Sequence, residues 1–198
     1  MDWTGNKNSI FKTLGASNHT DKDRQAEDYY ATDPVAAKLL LGVEHFEGPV
    51  WECACGQGHL AEVFREAGIP TRASDIIDRG YGEVFDFLSM ENQSWDGDII
   101  TNPPYKWALD FIYKALTIIP DGRKVAMFLK VQFLEGKERR ALYRSTPPQS
   151  VYVSSSRILC AKNGCFDQMR SAGGSAVAYA WFVWEKGYKG PTILKWIN

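Results

Sequence analysis

Trp51-Glu-Cys-Ala-Cys-Gly56-Gln-Gly58 is an apolar run that meets an acid and then breaks into two glycines. With Pro49 and Val50 before it, the run reads as a short buried strand. The residues after it, from His59 to about 67, read as a helix. Glycines between a strand and a helix let a ligand approach the backbone closely, and the helix start offers amide groups without partners. About twenty residues on, a second strand over 70–74 is closed by Asp75. An acid at that place in a Rossmann-type fold grips the hydroxyls of a ribose. A Gly-x-Gly by itself is also an ordinary tight turn; the correctly spaced acid turns it toward a nucleoside cofactor.

Three details narrow the cofactor. No lysine follows the glycines, which disfavours a nucleoside triphosphate. A dinucleotide prefers a third glycine where this chain has Ala61. Glu52, at the strand end, would repel a pyrophosphate but suits the ammonium of S-adenosylmethionine; the plainer alternative is a solvated strand end. The contacts expected around this cofactor are Glu52, Ala54, Gly56, Gly58, Asp75 and Ile76.

Working outward, a helix is expected over 35–41, behind Pro34 and the candidate caps Thr32 and Asp33. Further strands are expected over 84–87, 98–101, 124–130, 150–154 and 175–184. Leu109, Ile112, Leu116 and Ile119 mark a helix over 106–119, and a charged helix follows over 135–144. Alternating strands and helices imply an α/β fold with a mostly parallel sheet and helices on both faces. Between the sixth and seventh strands lie roughly twenty residues with three glycines, a length expected to be functional or mobile.

The chain has 198 residues, 44% hydrophobic and 13% aromatic, which suffices for one buried core and excludes a disordered tail. Residues 1–28 read as a flexible polar arm and 29–198 as one domain without a separate target-recognition domain. Neither a secretory leader nor a membrane span is legible, so a cytoplasmic protein is expected. The net charge of −1 argues against tight, salt-resistant wrapping of duplex nucleic acid. Cys53, Cys55, Cys160 and Cys165 lack finger spacing. They read as buried thiols, with no metal.

Thr101-Asn102-Pro103-Pro104-Tyr105 directly follows the fourth strand, at the sheet edge where α/β folds place ligands. Asn102 offers a side-chain carbonyl, and the first proline a backbone carbonyl without a competing N–H. Two convergent acceptors can hold an NH2 group by both hydrogens. Tyr105 offers a flat face to a planar substrate. Such a group suits methylation of a conjugated amine: its delocalised lone pair becomes nucleophilic as the nitrogen pyramidalises, and these hydrogen bonds favour that change.

With these motifs the chain resembles class I S-adenosylmethionine-dependent methyltransferases of the amino-methylating type, most nearly small phage-type adenine methyltransferases. The likeness covers about residues 24–198. It implies a seven-stranded sheet whose last strand runs antiparallel beside the fifth. It implies that the segment from Tyr29 to Pro34, with Tyr30 and Thr32, lies against the methionine part of the cofactor. It puts Asp86 on the adenine amine and Phe87 on its ring, and makes Asn102, Pro103, Pro104 and Tyr105 the catalytic tetrapeptide. Phe166 is the candidate for packing against the target base, or equally a small hydrophobic anchor for its loop. The implied substrate is the exocyclic amine of adenine in DNA, with a short or lax sequence preference; oligomeric state is left open.

Arg157, Lys162 and Arg170 are expected phosphate contacts, since their segment should border the crevice. Lys137, Arg139, Arg140 and Arg144 read first as a solvated helix face, and His59 as a capping or packing residue. Alternatives that share the chemistry are an RNA adenine methyltransferase and a protein glutamine-amide methyltransferase. A domain that only binds the cofactor, or a zinc-stapled module, leaves the tetrapeptide unexplained.

Overall fold

Strands and helices alternate through a computed structural model of the chain, which describes residues 30–89, 91, 93–162, 164–171, 175 and 177–198. The expected arm over 1–28 lies outside these residues, as does Tyr29. β1 (Tyr30–Thr32) leads into α1 (Val35–Leu41), and β2 (Val50–Glu52) into α2 (His59–Glu66). β3 (Thr71–Asp75) is followed by the two-residue β4 (Glu83–Val84). β5 (Asp98–Thr101) precedes α3 (Ala108–Ile118), and β6 (Lys124–Lys130) precedes α4 (Arg140–Ser145). Then come β7 (Ser150–Ser154), β8 (Cys160–Lys162), α5 (Phe166–Ser171), β9 (Tyr179–Glu185) and β10 (Ile193–Ile197).

Eight strands form one sheet in the order β10-β7-β9-β6-β5-β2-β3-β4. β2, β3, β4, β5 and β6 are parallel. β9 enters between β6 and β7, antiparallel to both, with Phe182 opposite Met127 on one side and Val151 on the other. This is the expected antiparallel strand beside the fifth of the seven. The structure adds an eighth, β10, parallel to β7 at the edge. β1 and β8 make a separate antiparallel ribbon.

Side chains on alternate faces of the strands build two cores. Ile99, Val125, Met127, Phe182 and Trp184 pack with Phe111, Ile112 and Ala115 of α3 and Leu142 of α4. Ile100, Ala126, Phe128, Trp181 and Val183 pack with Ala36 and Leu40 of α1 and Leu60 and Phe64 of α2. β9 is covered on both faces, which explains its unbroken apolar sequence. Its buried indoles are satisfied: Trp181 Nε1 donates to the Ala36 carbonyl at 2.8 Å and Trp184 Nε1 to that of Thr146 at 3.0 Å. Truncating Trp181 to alanine would cost about 3–5 kcal/mol.

Several expected boundaries change. The strand over 84–87 contracts to Glu83–Val84, and Phe87–Ser89 forms a 3-10 turn. The helix expected from 106 begins at Ala108, after a 3-10 turn at Tyr105–Trp107 that hydrogen-bonds back to the Pro104 carbonyl. The charged helix expected over 135–144 starts only after Gly136, whose φ is +119°, and runs as a 3-10 turn, Lys137–Arg139, followed by α4. The strand expected from 175 starts at Tyr179. The long segment after β7 contains β8 and α5 rather than an unstructured loop.

Candidate active site

The carboxyl ends of β2, β3, β5 and β6 meet at one edge of the sheet, and the start of antiparallel β9 joins them there, with Tyr179 opposite Lys130. Glu52 ends β2 with 1% of its surface exposed, so it is not a solvated strand end. Its Oε2 accepts from the Ala61 amide in the first turn of α2 at 3.1 Å. Burial pushes its pKa well above the usual carboxylate range; the Ala61 amide opposes the shift and Asp75 adds to it.

Gly56 and Gly58 both adopt positive φ, +54° and +84°. A Cβ on Gly58 would sit 2.3 Å from the Tyr81 ring, so a larger residue there would both displace that ring and strain the backbone. Ala54, just before the turn, is half-buried against the core. Asp75 closes β3 and binds the glycine turn directly: its Oδ2 accepts from the Gly56 amide at 2.9 Å and its Oδ1 from the Ile77 amide at 3.0 Å. The adjacent Ile76 is 62% exposed, an apolar surface standing at the crevice. Asp86 is half-buried and its Oδ1 accepts from the Leu88 amide.

Phe87 departs from the expected ring contact. It is 2% exposed and packs edge-on to Trp51, centroids 5.2 Å apart, and against Phe111 at 5.1 Å. The aromatic belongs to the core beneath the crevice, where Trp51 and Phe111 enclose it.

Asn102 follows β5 immediately. Its Nδ2 donates to Thr32 Oγ1 at 2.8 Å and, more weakly, to the Tyr30 carbonyl at 3.4 Å. Its Oδ1 is buried and finds no partner among the described residues. Pro103 is buried and Pro104 exposed. The ring of Tyr105 is half-buried and already engaged: it stacks on Tyr179 at 6.1 Å, and Lys130 Nζ lies 5.0 Å from its centroid. Its hydroxyl meets the Cys160 sulfur at 3.8 Å. Burial raises its pKa well above the phenol range. Tyr30 and Thr32, expected against the cofactor, thus hold Asn102. Thr32, Cys160, Tyr179 and Lys130 were not readable as partners of the tetrapeptide, since each is remote from it in sequence.

The late segment divides. Arg157 is exposed and lines a cleft of about 230 Å³ together with Ser154, Ser156 and Tyr179, next to the tetrapeptide's tyrosine pair. The Lys162 side chain lies outside the described residues. Phe166 sets its ring edge against His59 at 5.5 Å, at the start of α2 on the glycine-turn side rather than beside Tyr105. Arg170 turns to Asp33 at 2.7 Å and Asp167 at 3.2 Å. This guanidinium, 55% exposed, thus pairs with two carboxylates of the scaffold. His59 packs, as its position suggested, and burial lowers its pKa; the cap of α2 is Gly58.

Cys53, Cys55 and Cys160 are buried, whereas Cys165 is exposed. Among the described residues no group of three His, Cys, Asp or Glu could hold a metal ion, and no helix is long and apolar enough to cross a membrane.

The fold aligns with solved structures at low sequence identity. A Listeria monocytogenes protein described as a candidate class I S-adenosylmethionine-dependent methyltransferase aligns with 82% of this chain at TM-score 0.52 and 12% identity. The fold is that of the class I methyltransferases. A SAM-dependent O-methyltransferase from Thermotoga maritima aligns with 84% of this chain and 70% of its own, at TM-score 0.51 and 12% identity. The type IIG restriction endonuclease BpuSI aligns with 84% at TM-score 0.52 and 16% identity. The chain spans 62% of the Listeria protein and 26% of BpuSI. No family model and no curated protein sequence matches it.

Proposed function

We propose that the protein transfers a methyl group from S-adenosylmethionine to the exocyclic amine of adenine in DNA, with a short or lax sequence preference. The observation that carries the proposal is the buried, unpartnered Oδ1 of Asn102 at the carboxyl end of β5. An orphaned buried acceptor costs about 1–3 kcal/mol, and a substrate N–H would satisfy it.

The donor set suits this cofactor. The glycine turn and Asp75 would hold the ribose, Ile76 would cover the adenine, and Asp86 would accept from its amine. Glu52 lies behind the turn, where an ammonium would favour its ionised form. When bound, S-adenosylmethionine supplies an electrophilic methyl on a sulfonium sulfur. Asn102 Oδ1 and the Pro103 carbonyl would accept the two hydrogens of the target amine and favour its pyramidal form. The nitrogen lone pair would thereby face that methyl; transfer would leave the C–S electron pair on sulfur, and the proton shed on methylation would pass to water. Tyr105 would carry the planar base on the side away from Tyr179.

A nucleic-acid target is favoured by the rim beyond the tetrapeptide. Lys106 and the 47%-exposed Trp107 follow Tyr105, their side chains 5.0 Å apart, and Lys130 and Arg157 are exposed nearby. Cations interleaved with aromatics fit phosphates and unstacked bases. An adenine inside a duplex is out of reach, so it must be flipped or presented single-stranded. The test is transfer of tritiated methyl from S-adenosylmethionine to duplex DNA, single-stranded DNA, RNA and a glutamine-bearing peptide, followed by nucleoside analysis. Label in N6-methyladenine of DNA is the expected result; label confined to RNA or to the peptide would overturn the substrate assignment.

A further inference from the structure

The ribbon of β1 and β8 lies outside the main sheet, yet its cross-strand pair Thr32 and Cys160 touches both ends of the tetrapeptide. Thr32 Oγ1 accepts from Asn102 Nδ2 at 2.8 Å. Cys160 Sγ lies 3.8 Å from the Tyr105 hydroxyl. Thr32 is the cross-strand partner of Cys160, and the Tyr179 ring stacks on that of Tyr105 at 6.1 Å. One buried sulfur therefore joins the residue that holds the asparagine to the residue that would carry the base.

We propose that this ribbon is a positioning device, in which Thr32 fixes the amide of Asn102 with its oxygen toward the substrate and Cys160 seats the ring of Tyr105. The proposal rests on the reading of the site as an amine methyltransferase and identifies what gives that site its polarity. The Tyr30 carbonyl can only accept, so the amide end facing it must be the NH2. Turning the amide over would set two carbonyl oxygens against each other and aim a donor at the substrate amine. Because the NH2 end is held by Thr32 and Tyr30, both acceptors of the tetrapeptide are left for a substrate that brings two hydrogens.

The thiol is suited to its place. Burial raises its pKa to about 11, so it stays a neutral S–H near pH 7, and the network of Thr32, Tyr105 and Tyr179 carries no charge. The ribbon is anchored at its end by the Asp33 amide, which donates to the Leu159 carbonyl at 2.9 Å, and by the ion pair of Arg170 with Asp33. The ribbon's two strands and the tetrapeptide come from segments about 60 to 130 positions apart, so the device exists only in the folded chain.

The experiment compares Thr32→Val, Thr32→Ser, Cys160→Ala and Cys160→Ser in the full chain. Two readouts are taken: the side-chain amide resonance of Asn102 by NMR, assigned through Asn102→Ala, and methyl-transfer kinetics. Thr32→Val keeps the shape and removes the acceptor. It should shift and broaden the Asn102 amide signal and lower kcat about tenfold or more, with KM for S-adenosylmethionine little changed. Thr32→Ser should restore both. Cys160→Ala should raise KM for the polynucleotide, and Cys160→Ser, which keeps an acceptor, should recover most of the loss. An unmoved Asn102 resonance in Thr32→Val, or a rise only in KM for S-adenosylmethionine, would make Thr32 a cofactor contact and overturn the proposal. If the wild type methylated nothing in the panel, the assignment of the site would fail, while the resonance would still decide whether Thr32 orients Asn102.

Discussion

The amide of Gly56 donates to the Asp75 carboxylate at 2.9 Å, so the turn after β2 and the end of β3 form one unit. Replacing Asp75 by alanine should therefore act twice. The apoprotein should melt earlier, and the thermal stabilisation given by S-adenosylmethionine should shrink. Hydrogen bonds to a charged group contribute about 1.5–3 kcal/mol, so affinity should fall roughly ten- to hundredfold. Calorimetric titration against S-adenosylmethionine, with ATP and NADH as controls, measures this directly. Unchanged affinity would remove Asp75 from the cofactor site.

Asn102→Ala removes the unpartnered Oδ1 and leaves the glycine turn intact. Turnover should drop about 10²–10³-fold, the scale of losing one preorganised group aimed at the transition state. S-adenosylmethionine binding should stay near wild type. Near-normal turnover in this variant would mean that the tetrapeptide is not where transfer occurs.

Glu52 carries a pH signature. Its folded-state pKa is raised by burial, so the carboxyl contributes its stability below the unfolded value of about 4.3 and loses it as pH rises toward the folded one. Glu52→Gln should therefore match the wild-type apoprotein near pH 4 and become progressively more stable than it toward neutrality. Melting temperatures across pH 4–8 without cofactor test this; a difference independent of pH would contradict it. The same variant should bind S-adenosylmethionine more weakly.

Gly58→Ala meets two obstacles, a φ of +84° and the Tyr81 ring 2.3 Å from the new Cβ. The backbone strain alone amounts to about 1–2 kcal/mol. Adding Tyr81→Ala should relieve the steric part and leave the strain, so the double variant should recover only part of the loss in chemical denaturation. Full recovery would show that φ at Gly58 is not constrained.

Arg170→Glu should act through Asp33 and not through nucleic acid. It sets a third acid beside Asp33 and Asp167, so it should destabilise the fold slightly. The largely exposed arginine limits the pair itself to about 1 kcal/mol or less. Exchanging the charges, Asp33→Arg with Arg170→Asp, should restore most of it. Weaker DNA binding with a shallower salt dependence in the single variant, with stability unchanged, would return Arg170 to the phosphate contacts.

What could be read from the sequence was local. The glycine turn, Asp75 and the tetrapeptide each occupy contiguous residues at a strand end, and their chemistry follows from type and spacing. β1 and β8 are three residues long and pair across about 130 positions, so neither carries a local signal that separates it from loop. α5 was hidden among glycines, and β10 follows Gly190-Pro191 with four of its five residues exposed, leaving no alternating pattern to detect. Phe87 shows the opposite failure. A resemblance can align a residue type with a role, but whether an aromatic faces a crevice or a core depends on its neighbours, here Trp51 and Phe111.

The placement of β9 between β6 and β7 also sets the order in which the protein can be completed during synthesis. Until residues 179–185 leave the ribosome, β6 has an open edge lined by an almost wholly apolar strand, and β7 has no neighbour through which to join the sheet. Such an edge is a template for pairing with other chains. A nascent chain stalled before β9 would thus be an aggregation-prone half-sheet, already holding the glycine turn and Asp75, and its rescue would depend on a chaperone that shields β6.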